Sequence, residues 1–193
     1  GTNHKEIDVN KSSIKLLPKV AYHLDEPLGD NAALSTYLMS KETSKHVKVI
    51  LSGEGNDELF AGYQKYKLFK TKKYIPLKKI VFNQRLKDFL NKEHSKSYSE
   101  FTSVFNSKER SNLYKHSQET NFEDFKVDSS LNSILRFDIK NWLPNDLLLK
   151  NDKMTMAHSL EGRVPFLDHK LVEFAFSIPE NQKLRFFKDK YIF

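Results

Sequence analysis

The sequence predicts an α/β protein in which part of a parallel sheet is followed by a largely α-helical C-terminal region. In the first 70 residues, helical patterns alternate with short apolar runs, which is typical of parallel sheets. After Gly62 the pattern changes to amphipathic helices separated by polar stretches. We therefore divide the chain into an α/β part, residues 1–70, and a mainly helical part, residues 71–193.

The α/β part begins with two short elements and a loop. Lys5–Val9 alternates between polar and apolar residues and predicts a short strand. Ser12 or Ser13 can cap a helix that follows, although Pro18 indicates that the helix proper starts later. The Pro- and Gly-containing segment Asp25–Asp30 predicts a loop.

The central feature of the α/β part is a strand that ends in a glycine turn. Asn31 is the expected cap of a helix that runs to about Glu42, and the apolar run Val47–Leu51 then predicts a buried strand. The run stops at Ser52–Asp57, after which Glu58 opens a helical pattern. Because ligands bind beyond the carboxyl ends of strands in open α/β sheets, we expect a functional site at this turn.

The helical part begins with a basic stretch, Lys65–Lys73. Pro76 precedes a predicted helix, Leu77–Leu90, with a core-facing apolar stripe. Residues 91–128 are polar and predict short helices joined by loops, whereas residues 130–142 predict a helix that Pro144 ends.

A second informative stretch follows. The apolar residues Leu147–Leu149 lead into Lys150–Lys153 and a short helix, and lysines beside apolar residues at a helix start can be desolvated. Glu161 and Arg163 flank a glycine and predict a local ion pair, and Asp168 is the expected cap of a final helix.

Composition limits the function classes. The chain has no cysteine and no apolar run of about 18 residues, which excludes disulfides, thiolate catalysis and a membrane span and predicts a cytoplasmic enzyme. The net charge of +7 and the basic run Lys65–Lys79 leave a nucleic-acid-binding module as an alternative in another class. Lysines are spread along the whole chain and few aromatic residues interleave with them, so a solvated helix face is the favoured interpretation.

The glycine turn carries the clearest chemical pattern. Glu54, Asp57 and Glu58 lie within five residues and repel one another unless a cation joins them. The flanking Gly53 and Gly55 let a ligand approach the backbone, so the turn predicts a phosphate and metal site with a carboxylate free for proton transfer. Carboxylates at a helix start interact favourably with the helix dipole, which would explain Asp57 and Glu58. It would not explain Glu54, which lies between two glycines.

Two other groups give weaker indications. A lysine such as Lys153, in an Asn-Asp-Lys turn, is by itself more often a solvated residue or a helix cap. The seven histidines have no metal-ligand spacing, so we interpret them as structural.

Two stretches resemble the synthetase domain of glutamine-hydrolysing asparagine synthetases. Leu51–Tyr63, which reads LSGEGNDELFAGY, is similar to the family's loop after its central strand, and Lys150–Asp168, which reads KNDKMTMAHSLEGRVPFLD, is similar to its second signature. Weaker similarity occurs at Gly1–Glu6, Asp25–Pro27 and Trp142–Pro144. The resemblance spans nearly the whole chain and is weakest between about residues 70 and 128.

The resemblance implies a fold like that of the pyrophosphatase-loop hydrolases that bind adenine nucleotides. It also implies a ligase and glutamine amidotransferase with ATP and Mg²⁺ as cofactors. Aspartate would be adenylated to β-aspartyl-AMP with release of pyrophosphate, and ammonia from glutamine would displace AMP to give asparagine.

The resemblance also assigns roles to individual residues. Asp57 would hold Mg²⁺ on the pyrophosphate, Glu54 would take a proton from the attacking ammonia, and Lys153 would stabilise charge on the α-phosphate and departing AMP. These roles suit the chemistry, since phosphate charge in a closed site requires cations and attack by an amine requires a base. The implied ATP and pyrophosphate ligands are Ser52, Gly53, Gly55 and Asp57.

Two parts of the family pattern do not occur in these residues. They are the Ser-Gly-Gly-x-Asp-Ser pyrophosphate loop and the N-terminal glutaminase domain with its cysteine nucleophile. We therefore expect the chain to be a fragment that does not make asparagine alone and that works with a glutaminase domain in a longer protein, with a homodimer left open. Other amide-forming synthetases of the same superfamily, of the β-lactam synthetase or peptide cyclase type, are the alternative within the fold.

Overall fold

The structure is a computed structural model that describes residues 1–2, 4–71, 86–87, 89, 94–114, 128, 130–185 and 188–193. It divides into two compact units, each built from two segments of the chain. The first unit comprises Gly1–Asn56 and Ile139–Ala175, and the second comprises Asp57–Asp138 and Phe176–Phe193. The subdivision at residue 70 stays a prediction, while the helix that carries Lys153 lies in the first unit.

The first unit starts with helical turns rather than with a strand. A 3₁₀ helix, Lys11–Leu16, runs into helix α1, Leu17–Leu24. The side chain of Asn10 caps the 3₁₀ helix by accepting from the Ser12 amide, so the predicted caps Ser12 and Ser13 are wrong. Pro18 lies in the first turn of α1, as expected from its fixed φ angle and missing N–H.

The strand predicted at Lys5–Val9 is also wrong, because these exposed residues form no helix or strand. Alternation alone does not make a strand where no neighbouring strand supplies the ladder of hydrogen bonds. Helix α2, Ala32–Thr43, is present as predicted, but the group that caps it is Asp30, whose Oδ1 accepts from the Ala32 amide at 2.8 Å.

A two-stranded parallel sheet forms the centre of the first unit. Strand β1, Val49–Leu51, pairs with β2, Glu161–Arg163, with Ile50 opposite Gly162. The parallel pairing agrees with the general α/β prediction. Val49 and Leu51 are exposed, however, so the prediction of a buried strand is wrong; an apolar run specifies a strand, but burial depends on what packs against its faces.

The core of the first unit joins α1 and α2 to a helix from the second sequence segment. A π-helical turn, Leu143–Leu148, leads directly into α8, Leu149–Met156. Pro144 lies in the first turn of the π-helical segment and therefore does not end the helical path as predicted. A 3₁₀ turn, Pro165–Leu167, precedes helix α9, His169–Ser177. The buried residues are Val20, Leu24, Ala33, Tyr37 and Met154.

Asp168 caps α9 as predicted, because its Oδ1 accepts from the amides of Lys170 and Leu171 at 3.0 and 3.3 Å.

The second unit is helical in its described residues. Helix α3, Asn56–Phe60, begins at the last residue of the first unit. The other helices are α4 (Gln64–Thr71), α5 (His94–Thr102), α6 (Ser107–Leu113), α7 (Leu131–Lys140) and α10 (Glu180–Lys183). Helices α5 and α6 confirm the short helices predicted for residues 91–128. The predicted helix Leu77–Leu90 lies outside the described residues, apart from residues 86, 87 and 89.

The second unit has an aromatic core. Phe69 and Phe89 lie within ring contact of one another, and Tyr98 meets Phe69 edge to face. The buried core residues are Ala61, Tyr66, Phe69, Phe89, Tyr98, Leu131, Ile134, Leu135 and Phe137. Within the described part of the chain, no helix is long and apolar enough to cross a membrane.

Candidate active site

The loop after β1 is a tight turn that only glycine can form at one position. Gly55 has a φ of 92°, and a Cβ built on it would lie 2.3 Å from Cδ2 of Leu167. The turn is closed by the Asn56 amide, which donates to the Gly53 carbonyl at 3.3 Å, and by the Glu54 amide, which donates to Oγ of Ser52 at 3.3 Å. Glu54 is thus held at the carboxyl end of β1 by its backbone.

A buried lysine lies beside the Glu54 carboxylate. The Nζ of Lys150, on α8, lies 3.8 Å from Oε1 of Glu54 and 2.7 Å from Oδ2 of Asp30. Lys150 is only 5% exposed. We expected a desolvated lysine where the apolar run Leu147–Leu149 leads into Lys150–Lys153, and Lys150 confirms this. Its contact with Glu54 and its partner Asp30 were not predicted from the sequence.

Lys153 lies one turn further along α8 and has a different environment. Its side chain is 34% exposed, and its Nζ lies 3.8 Å from Oδ2 of the exposed Asp25. Residues three apart on a helix lie on neighbouring parts of its surface, so α8 presents one buried and one accessible ammonium group within a single turn. The structure brings Glu54 into contact with Lys150, and it places Lys153 on the same helix.

Strand β2 packs closely against α8. A Cβ at Gly162 would lie 3.0 Å from Nδ2 of Asn151 and 3.5 Å from Oγ1 of Thr155, both in buried residues of α8. The absence of a side chain at Gly162 therefore lets the helix approach the strand. The ion pair predicted between the flanking Glu161 and Arg163 is confirmed, with Nε 2.7 Å from Oε1.

Asp57 belongs to the second unit, where it faces a cation. Its Oδ1 lies 2.9 Å from Nζ of Lys190, and both side chains are about one-third exposed. Gly62 leaves room for this pair, since a Cβ there would lie 1.7 Å from Asp57 Oδ1 and 2.4 Å from Lys190 Cε.

These contacts test whether Asp57 fits a divalent cation. Among the described residues, no three His, Cys, Asp or Glu side chains are grouped so that they could hold a metal ion. Mg²⁺ is commonly held by one or two carboxylates together with substrate phosphates. Asp57 has the chemistry of one such ligand, since it is a carboxylate that is about one-third exposed, and Mg²⁺ would replace the ammonium group of Lys190 at its Oδ1.

The second unit also contains a buried polar network that we did not predict. Oδ2 of Asp138 accepts hydrogen bonds from the hydroxyls of Tyr66 and Tyr98, each at 2.6 Å, and lies 2.9 Å from Nζ of Lys65. Nearby, the Tyr63 hydroxyl donates to the buried Glu58, whose pKa is raised by burial.

The basic stretch that begins at Lys65 is therefore not simply a solvated face. Lys65 pairs with Asp138, Lys67 with Asp189 at 2.9 Å, and Lys70 with Glu180 at 2.6 Å. The pattern of lysines in the sequence could not reveal these acidic partners, which lie far away along the chain. Residues 72–79 of the predicted basic run lie outside the described residues.

Comparison with known proteins identifies similar sequences. A family model described as asparagine synthase matches residues 1–193. The asparagine synthetase [glutamine-hydrolyzing] 1 of Bacillus subtilis is 37% identical over 91% of this chain and 32% of its own length. A putative asparagine synthetase [glutamine-hydrolyzing] of Mycobacterium tuberculosis is 31% identical over 92% of this chain and 31% of its own length.

A further relative extends the match along the chain. The asparagine synthetase [glutamine-hydrolyzing] 3 of Bacillus subtilis is 29% identical over 98% of this chain and 30% of its own length. The chain thus spans about a third of the length of the curated relatives it matches.

Proposed function

Because the chain belongs to the asparagine synthase family, we propose that it supplies part of the site where aspartate is activated by ATP and converted to asparagine. Aspartate would form β-aspartyl-AMP with release of pyrophosphate, and ammonia derived from glutamine would then displace AMP. The observation that carries the proposal is the placement of Glu54 in a glycine turn at the end of β1, beside the helix that bears Lys153.

Glu54 is the proposed base of the amide-forming half-reaction. When ammonia attacks the acyl carbon of the intermediate, nitrogen gains a positive charge and must lose a proton. The carboxylate is partly exposed, so it can be reached by a substrate, and its turn is fixed by backbone hydrogen bonds. A base held in this way needs little reorganisation during the reaction.

Lys153 is the proposed stabiliser of phosphate charge. Its side chain is 34% exposed, and its exposed partner Asp25 lies 3.8 Å away, so the lysine can turn to a substrate at small cost. A cation aimed at the α-phosphate favours both formation of the acyl-adenylate and departure of AMP.

The remaining predicted ligands have roles in binding ATP and Mg²⁺. Ser52, Gly53 and Gly55 would offer backbone and hydroxyl groups to ATP. The space beside Gly53 is open, while Gly55 forms the tight turn against the side chain of Leu167. Asp57 would hold Mg²⁺, which when bound neutralises charge on the pyrophosphate group.

The two half-reactions give a sharp test. We would express the protein from its natural gene and measure aspartate-dependent exchange of labelled pyrophosphate into ATP, and separately the release of AMP with ammonia. We expect Glu54→Gln to retain exchange but to lower amide formation by on the order of 10²-fold or more. Lys153→Met should lower both reactions, whereas Lys170→Met, at an exposed lysine of α9, should leave both unchanged.

Two results would contradict the proposal. If the wild-type protein shows no exchange with aspartate, another acceptor is the substrate, as in β-lactam synthetases or peptide cyclases. If Glu54→Gln forms asparagine at the wild-type rate, Glu54 is not the base.

A further inference from the structure

Lys150 is a lysine with a buried side chain. The residue is 5% exposed, and its ammonium group lies 2.7 Å from Asp30 and 3.8 Å from Glu54. A buried ammonium group is costly unless it is paired. The two carboxylates therefore account for the burial of this lysine, and they come from two separate loops of the first unit.

Asp30 is the fixed member of this group. Its Oδ1 accepts from the Ala32 amide at the start of α2, while its Oδ2 faces Lys150. Because both oxygens are engaged, Asp30 holds the ammonium group at a set distance from the first turn of α2. Its side chain is 14% exposed, so the pair is little screened by solvent.

Glu54 is the third member of this group. The hydrogen bonds of the turn fix its backbone, and its side chain is 23% exposed. An ammonium group fixed beside it restricts where its carboxylate can lie.

We propose that Lys150, anchored by Asp30, is a positioning residue that holds the Glu54 carboxylate in place for proton transfer. The inference rests on the proposed function of Glu54. Lys150 is not placed to neutralise substrate phosphates, since its ammonium group is buried and engaged with Asp30, whereas Lys153 on the same helix is accessible. In this proposal, helix α8 carries two lysines one turn apart with different roles: Lys150 positions Glu54, and Lys153 stabilises phosphate charge.

The contact can be tested without any activity. In protein labelled with ¹³C at glutamate carboxyl carbons, the Glu54 signal is assigned by its loss in Glu54→Gln. We expect Lys150→Gln to shift this signal, Lys150→Arg to shift it less, and the exposed control Lys170→Gln to leave it unchanged. An unchanged Glu54 signal in folded Lys150→Gln would overturn the inference.

A reciprocal measurement covers the case in which Lys150→Gln does not fold. Glu54→Gln leaves the buried Asp30–Lys150 pair intact, so it should fold, and the ¹⁵N signal of the Lys150 ammonium group should move. If that signal is the same in wild type and Glu54→Gln, the two side chains are not coupled and the inference is wrong.

Activity then separates positioning from a purely structural role. In the protein expressed from its natural gene, Lys150→Gln should resemble Glu54→Gln: pyrophosphate exchange is retained, while kcat for amide formation falls roughly 10- to 100-fold with little change in KM for aspartate. Lys150→Arg should restore part of the loss. If Lys150→Gln lowers both half-reactions equally, Lys150 is not a positioning residue for Glu54. If the wild-type protein has no aspartate-dependent activity but the NMR signals of Lys150 and Glu54 are coupled, only the proposed function is contradicted.

Discussion

Tyr66 and Tyr98 share one hydrogen-bond acceptor, since both hydroxyls lie 2.6 Å from the same oxygen of Asp138. Lys65 approaches that oxygen to 2.9 Å, and Asp138 is 1% exposed. Burial and the adjacent carboxylate raise the pKa of both tyrosines well above the usual value, so both remain neutral donors. The arrangement ties α4, α5 and α7 together within the second unit.

Removal of one of these hydroxyls should destabilise the protein measurably. We expect Tyr66→Phe to lower the free energy of unfolding by about 1.5–3 kcal/mol, because it removes a hydrogen bond to a buried charged acceptor. Urea unfolding followed by circular dichroism measures the effect. Tyr22→Phe is the matched control, since Tyr22 is 80% exposed and should show little change. Equal effects of the two substitutions would contradict the importance of the network.

Gly62 should be sensitive to the smallest side chain. A methyl group there would lie 1.7 Å from Oδ1 of Asp57 and 2.4 Å from Cε of Lys190, so it must displace that ion pair. We expect Gly62→Ala to cost about 1–3 kcal/mol, measured by thermal and urea unfolding. Gly53→Ala is the control for stability, since no heavy atom lies within 4 Å of a Cβ at Gly53.

A second substitution makes the Gly62 prediction specific. If Gly62→Ala acts by separating Asp57 from Lys190, Lys190→Met should add little to it, although Lys190→Met alone should be destabilising. Additive effects of the two substitutions would show that Gly62 acts in another way.

Asp30 and Asp25 each pair with a lysine of α8, and we expect their substitution to change the free energy of unfolding by different amounts. Asp30→Asn should lower the free energy of unfolding by about 3 kcal/mol, because it leaves a buried ammonium group with only the more distant Glu54. Asp25→Asn makes the same chemical change opposite Lys153, but Asp25 is 83% exposed and should show almost no effect. Equal unfolding midpoints for the two variants would contradict the burial of Lys150.

The features predicted correctly from the sequence depend on near neighbours in the chain. Asp168 as a helix cap, the ion pair of Glu161 with Arg163, and the glycine turn after β1 each follow from residues within a few positions. Such signals are local, since caps and turns satisfy the backbone groups next to them.

The features that were missed depend on how distant segments pack. The hydrogen bond from Tyr66 joins residues 72 positions apart. Strand β2 forms by pairing with β1, which lies in a distant segment of the chain. The short sequence Glu-Gly-Arg has no strand signal of its own. Likewise, the exposure of β1 and the carboxylate partners of Lys150 are set by tertiary contacts, which no periodicity in one segment can specify.

Lys183 supplies a prediction about pH. The residue is fully buried, its Nζ donates to Oδ1 of Asn132 at 2.8 Å and lies 4.8 Å from the centre of the Phe176 ring. Burial lowers the pKa of Lys183 from 10.5 to about 8, although Glu180 partly opposes the shift. The folded protein therefore releases this proton at a lower pH than the unfolded chain does.

The sign of the effect follows from the proton balance. Between pH 8 and 10.5 the unfolded state binds the Lys183 proton and the folded state does not, so the free energy of unfolding rises with pH in this range. Above about pH 10 the raised pKa of Tyr66 and Tyr98 acts in the opposite direction, which makes pH 7.5–9.5 the informative window. Urea unfolding should show a gain of roughly 1–2 kcal/mol across it, and Lys183→Met should abolish that gain. A wild-type stability that is flat or falls between pH 8 and 9.5 would show that Lys183 keeps its proton in the folded state.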